Sequence, residues 1–229
     1  MRPLRLTWRL ATPMAGGPFP LHLDSLVAYA VTEEALREGA ASLAGIRSLA
    51  RDMPLDKAER DGAWCWKASA ITGRTQAHAL RLWTRKTDPY EFAEMVASGQ
   101  IEGKFSLSKP NAHKIDTARG LMKQHFQFVP VRHVEEVSAW CVGDPDRLLE
   151  LLSPETGYVI ALGARVRSGF GRIVDFSIND DERAHDLWAR RVLPWSDAGL
   201  VPISAAHRPP YWAAENRTAQ SWVAPELLN

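Results

Sequence analysis

The chain has 229 residues, with 28 Lys and Arg against 27 Asp and Glu, so its formal net charge is +1 at neutral pH. That length suits one elaborated domain or two small modules, and 45% hydrophobic with 24% charged residues is an ordinary globular composition with room for a sizeable core. No run approaches the roughly 18 apolar residues of a membrane span, the N-terminus lacks a continuous apolar signal core, and Cys65 and Cys141 lie far apart without a CxxC pattern. A membrane protein, a secreted protein, a zinc ribbon and a disulfide scaffold are therefore disfavoured; a cytoplasmic protein with two buried thiols is expected.

In chain order, PLRLTWRLATP (residues 3–13) alternates Leu4, Leu6, Trp8 and Leu10 against Arg5, Thr7 and Arg9, the period of a half-buried strand. GGPFPLHLDSLVAYAVTEEALREG (16–39) predicts a helix capped by Asp24, with Leu26, Val27, Ala30 and Val31 on its apolar face and Gly39 at its end. AWCWKASAI (63–71) and HALRLWTRK (78–86) alternate again around a turn-like TGRTQ, which predicts an antiparallel pair. In TDPYEFAEMVAS (87–98), Asp88 as cap and Pro89 at the first position open a short helix with Phe92, Met95 and Val96 on one face. Residues 104–140 are polar and turn-rich, then alternating, and predict an inserted β-hairpin or thumb arm. GDPDRLLELLSPE (143–155) is a helix capped by Asp144 and started by Pro145, with Leu148, Leu149, Leu151 and Leu152 toward the core. TGYVIALGARV (156–166) and GRIVDFSI (171–178) read as strands flanking a glycine-rich loop, and residues 190–229 read as a Pro- and Trp-rich extension that wraps the body. The order is α+β and fits a single ferredoxin-like, RRM-like domain over residues 1–229, with helices on one sheet face and an open face of the kind that binds single-stranded RNA.

Charge is segregated along this order. The segments 62–87, 104–133 and 163–174 hold 14 of the 28 Lys and Arg but one of the 27 acids, Asp116. Brought together, they would form a cationic face, with Arg74 on it; apart, they are three solvated stretches. The third is GARVRSGFGRI, where Gly163, Gly169 and Gly171 would let backbone N–H groups approach an anion, and Arg165, Arg167 and Arg172 supply charge-assisted bonds to phosphate. Ser168 and Phe170 complete this loop, Phe170 either stacking on a base or filling the core. It is neither a Walker loop nor a GxGxxG motif, so nucleotide hydrolysis is not indicated.

LGARVRSGFGRI resembles the C-terminal glycine-rich loop of the RAMP superfamily, the ferredoxin-fold RNA-binding proteins of CRISPR-Cas systems. With PLHLDSLVAYA, KIDTARGLMK and RPPYW, the chain looks like the small RAMP subunit of type IV CRISPR effector complexes, the counterpart of the Cas-five family that caps the guide RNA 5′ handle. The resemblance implies a non-catalytic subunit that binds the crRNA 5′ handle beside backbone (Cas-seven-like) and large (Cas-eight-like) subunits, serving antiviral or anti-plasmid defence. Target DNA near the protospacer-adjacent motif and a recruited helicase are further contacts that it suggests. The arm would act as a thumb against the guide, with Lys109, His113, Lys114, Arg119, Gly120 and Lys123 as the matching residues.

A rival within the same superfamily is a metal-independent endoribonuclease that processes precursor crRNA. It needs a base for the 2′-OH, a cation for the phosphorane and an acid for the leaving oxygen, and His113, His125 and His133 with Lys114 and Lys123 supply those types. His125 and His133 are eight apart on an alternating segment, about 26 Å if extended, too far to share one phosphate, which favours binding over cutting. No HExxH, GxSxG or metal-spaced ligand cluster occurs, so no metal or cofactor is expected.

Overall fold

In the computed structural model of the chain the described residues are 1–17, 19–39, 45, 48–85, 88–99, 123–217 and 220–228. They divide into two compact units, Met1–Ala79 with Val131–Asn229, and Leu80–Pro130.

The first unit is built on strand β1 (Arg2–Leu10), which runs antiparallel between β7 (Glu136–Gly143) and β8 (Ile173–Asp180). Its alternation does what the pattern dictates. Leu4, Leu6 and Trp8 are at most 1% exposed, while Arg5 and Thr7 alternate onto the other face. Trp8 stacks on Phe176 of β8 with ring centroids 5.2 Å apart. Helices α1 (Leu23–Arg37) and α3 (Pro145–Leu152) contribute Leu23, Val27, Leu148, Leu151 and Leu152 to the same core cluster. Asp144 caps α3 as its Asp-Pro start predicts, its side chain accepting from Asp146 N and Arg147 N at 3.1 and 3.3 Å. Leu149, expected in the core, is 49% exposed because Leu148, Leu151 and Leu152 occupy the buried stripe at i, i+3 and i+4.

Residues 66–72 run along the outer edge of β7, where Thr72 and Ser138 exchange backbone bonds at 2.9 and 2.7 Å and Ser69 N donates to Trp140 O at 2.8 Å. The sheet therefore reads edge segment, β7, β1, β8, with mostly antiparallel neighbours and two intervening helices. This order is compatible with a ferredoxin-like fold. The expected pairing of 63–71 with 78–86 does not occur. Strand β4 (Ala63–Trp66) pairs instead with β3 (Lys57–Arg60), from Lys57↔Trp66 to Arg60↔Ala63. Asp61 and Gly62 adopt φ values of 53° and 76°, the two positive values that a tight two-residue hairpin turn needs. An Asp-Gly hairpin outcompetes the looser TGRTQ turn.

The glycine loop also differs from expectation on one side. Residues 156–166 form no strand; they are tied by the single bridges Ala161↔Arg172 and Ala15↔Ala164, the latter to strand β2 (Met14–Ala15). A short helix α4 (Ala184–Leu187) precedes the C-terminal extension, which contains an antiparallel pair, β9 (Val201–Ile203) and β10 (Ser221–Val223). Val192, Val223 and Leu227 of the extension cluster with Ala70.

In the second unit β5 (Ala77–Arg85) and β6 (His125–His133), whose remaining residues belong to the first, are hydrogen-bonded neighbours. Between them lies helix α2 (Pro89–Ala97), where Asp88 accepts from Tyr90 N at 2.8 Å, as a cap should. Leu80, Leu82, Phe126 and Phe128 are all more than half exposed. Among the described residues no helix is long and apolar enough to cross a membrane.

Candidate nucleic-acid interface

The glycine-rich loop owes its glycines to the protein itself. Gly163 has φ 90°, and a Cβ there would stand 2.4 Å from Ala15 O; Gly171 has φ 67°, and a Cβ there would stand 1.9 Å from Leu162 O. Only glycine tolerates both the conformation and the approach. The backbone is stitched to the body on both sides: Ala164 N donates to Ala15 O at 2.8 Å, Gly171 N to Pro13 O at 2.9 Å and Arg172 N to Thr12 Oγ1 at 2.9 Å. Between these anchors Val166–Ser168 forms a 3-10 turn, with Ser168 N bonded to Arg165 O and Gly169 N to Val166 O. Five N–H groups that an anion cradle would use are thus already engaged. The loop offers guanidinium groups instead: Arg165, Arg167 and Arg172 are exposed, beside a half-buried Phe170.

A second cationic feature lies on the face of β1 and β7 opposite the core. An open cleft of about 910 Å³ is lined there by Arg5, Ser138, Trp140, Arg74, Glu136 and Arg190, among others. Arg5 is held in place, its Nη2 and Nε donating to Ser138 Oγ at 3.0 and 3.3 Å with Glu136 Oε1 at 3.6 Å. Its guanidinium lies 5.7 Å from the Trp140 ring centroid. Trp140 is fixed in turn, since its Nε1 donates to Asp181 Oδ2 at 3.1 Å. Hydrogen bonds from Arg183 hold the Asp181 carboxyl well below the usual carboxylate range, with the indole bond adding to them. Of the residues expected to bind RNA, Arg74 thus joins this cleft and Lys123 is exposed on the second unit, while Lys109, His113, Lys114, Arg119 and Gly120 lie outside the described residues. His125 and His133 stand at opposite ends of β6, and among the described residues no cluster of His, Cys, Asp or Glu could hold a metal.

The motifs HLD and RPPYW meet in a buried network. Arg191, without exposed side-chain surface, donates to Asp24 Oδ2 at 2.8 Å, to the carbonyls of Trp66 and Ala68 at 2.8 Å, and to His207 O. Tyr211 Oη donates to Asp24 Oδ1 at 2.7 Å, and the Tyr211 ring stacks on His22 at 5.3 Å. His22 Nε2 accepts from Val192 N at 3.1 Å. Burial, with Arg191 nearby, pushes the His22 pKa well below its ordinary value, so it stays a neutral acceptor. Burial pushes the Asp24 carboxyl up, against the pull of Arg191 and Tyr211. Asp24 is therefore no helix cap; the N-cap position is His22, without a side-chain cap bond. Sequence reasoning missed Arg191 altogether: it lies in neither motif, and no local pattern marks it.

A family model described as CRISPR type IV associated protein Csf3 matches residues 2–222. The chain belongs to that family. The match runs from the first residue of β1 into β10, so it takes in the sheet, the glycine loop, the Arg191 network and the second unit. No curated protein matches the chain.

Proposed function

We propose that this type IV CRISPR-associated chain is an effector subunit with a RAMP fold that binds guide RNA without cutting it, holding the repeat-derived 5′ handle beside backbone and large subunits. The observation that carries this reading is the loop of residues 163–172: three exposed arginines stand on a backbone anchored to the body at residues 164, 171 and 172. Such a loop binds by side-chain charge, at fixed spacing, and suits the phosphates of a single strand more than a small anion buried in a nest. The cleft beneath Arg5 and Trp140 adds an aromatic and polar surface on the sheet face that single-stranded RNA uses in folds of this order. No catalytic role is assigned to His125 or His133, because they sit at the two ends of β6.

The test is to incubate purified protein with a labelled precursor guide RNA and to run native and denaturing gels from one tube. An intact, shifted RNA that prefers the repeat-derived 5′ handle is the expected result. Cleavage at one repeat position, abolished by changing His125 or His133, would replace this reading with that of a processing nuclease.

A further inference from the structure

The cleft against β1 and β7 differs in chemistry from the glycine loop. The loop carries arginines alone, whereas Glu135 and Glu136 line the cleft together with Arg5, Arg74 and Arg190. Carboxylates repel phosphate, so a cleft serving the backbone alone would not contain them. They are suited to a base that presents donors. Guanine is the one standard base with two adjacent donors, N1–H and N2–H, on its Watson–Crick edge, matching the two oxygens of a carboxylate, and two acceptors, O6 and N7, matching an arginine fork. Adenine offers one donor group beside an acceptor, cytosine one donor group beside two acceptors, and uracil a lone N–H between two carbonyls.

The lining is also built rather than incidental. Arg5 is tethered to Ser138, and Trp140 to Asp181, so a flat guanidinium and an indole are both held against the sheet before any ligand arrives. Gly73, also in the lining, packs directly on β7, where a Cβ would lie 2.3 Å from Glu136 O. The volume of about 910 Å³ exceeds that of one nucleotide and leaves the cleft open for a chain to enter and leave. We infer that this cleft takes one splayed guanine nucleotide of a single-stranded RNA, with Glu136 reading the Watson–Crick edge and Arg74 and Arg190 the flanking phosphate. The inference rests on the guide-RNA reading but concerns base identity, which that reading leaves open.

The experiment is equilibrium dialysis of the full chain against GMP, IMP, AMP, CMP and UMP. IMP is guanine's analogue without the N2 amino group. GMP is expected to bind at least about tenfold more tightly than IMP and the other three, as a bidentate base contact requires. Glu136→Gln is expected to close the gap between GMP and IMP, while Arg74→Ala weakens both alike. Equal binding of GMP and IMP, no saturable binding of GMP, or a gap that survives Glu136→Gln would overturn the inference. If Glu136→Gln does not fold, the wild-type comparison of GMP with IMP decides alone. A guide RNA shift measured on the same preparation separates the two ideas. Retained guide without nucleotide discrimination removes only the guanine assignment, and GMP preference without guide retention removes only the handle assignment.

Discussion

Arg191 Nη2 lies 2.8 Å from Asp24 Oδ2, and neither side chain has any exposed surface. One residue belongs to the C-terminal extension and the other to the first turn of α1, so this pair pins the extension to the core. Burying two charges is tolerated here because Trp66 O, Ala68 O, His207 O and Tyr211 Oη satisfy the remaining hydrogen-bonding capacity.

Removing one partner strands the other. Asp24→Ala or Arg191→Met is expected to lower stability by about 3–5 kcal/mol, the cost of an uncompensated buried charge, and the double variant to lose less than the two singles together. Urea midpoints with a double-mutant cycle measure this, and additive losses would show that the two residues act independently.

Stability should also fall in mild acid. Burial, then Arg208 and Arg191, depress His207 to about 4, with Nδ1 buried and without a hydrogen-bond partner among the described residues. Below the ordinary histidine value of about 6.5 the unfolded chain takes up a proton that the folded one refuses. This contribution is therefore whole above about pH 6.5 and shrinks as pH falls toward 4. His207→Asn should flatten the slope of stability against pH in that window, and an unchanged slope would mean that His207 titrates alike in both states.

The two loop glycines should part company under substitution. Gly171→Ala places a Cβ 1.9 Å from Leu162 O and should prevent stable folding, whereas Gly169→Ala, at φ 86° with nothing within 4 Å among the described residues, costs only the left-handed penalty of about 1–2 kcal/mol. Thermal melts of the two variants decide it; similar melting temperatures would refute the close-approach account.

If the loop binds by charge, Arg165→Ala with Arg167→Ala should weaken guide RNA binding without lowering the melting temperature and reduce the slope of log affinity against log salt by about 1.4, at about 0.7 per phosphate. A slope unaltered by the double variant would take both arginines out of the interface.

Phe170 is half-buried, so stacking and packing predict different losses. Phe170→Ala should cost about 1–3 kcal/mol of RNA affinity with little change in melting temperature if the ring stacks on a base. A drop in melting temperature with unaltered affinity would return it to the core.

What was legible from sequence was local. The alternation of Leu4, Leu6 and Trp8, and the Asp144-Pro145 helix start, each declare themselves within a few residues. The pairing of 63–71 is not legible because two turns compete and the stronger, Asp61-Gly62, lies just before the alternating segment. The role of Asp24 was illegible because its partner is 167 residues away, and a capping residue and a buried ion-pair partner look the same in one dimension. In the loop the glycines are visible in the sequence, but what approaches them is not: at Gly163 it is the carbonyl of Ala15 and at Gly171 that of Leu162.

That stitching of residues 164, 171 and 172 to segment 12–15 has a kinetic corollary. A loop already ordered has little conformational entropy left to lose, so a strand bound there would dock onto it as onto a rigid die, with no folding step to slow capture. If the loop binds RNA as proposed, selectivity resides in whether the strand can bend to the spacing of three arginines, and the flexible partner in the encounter is the RNA.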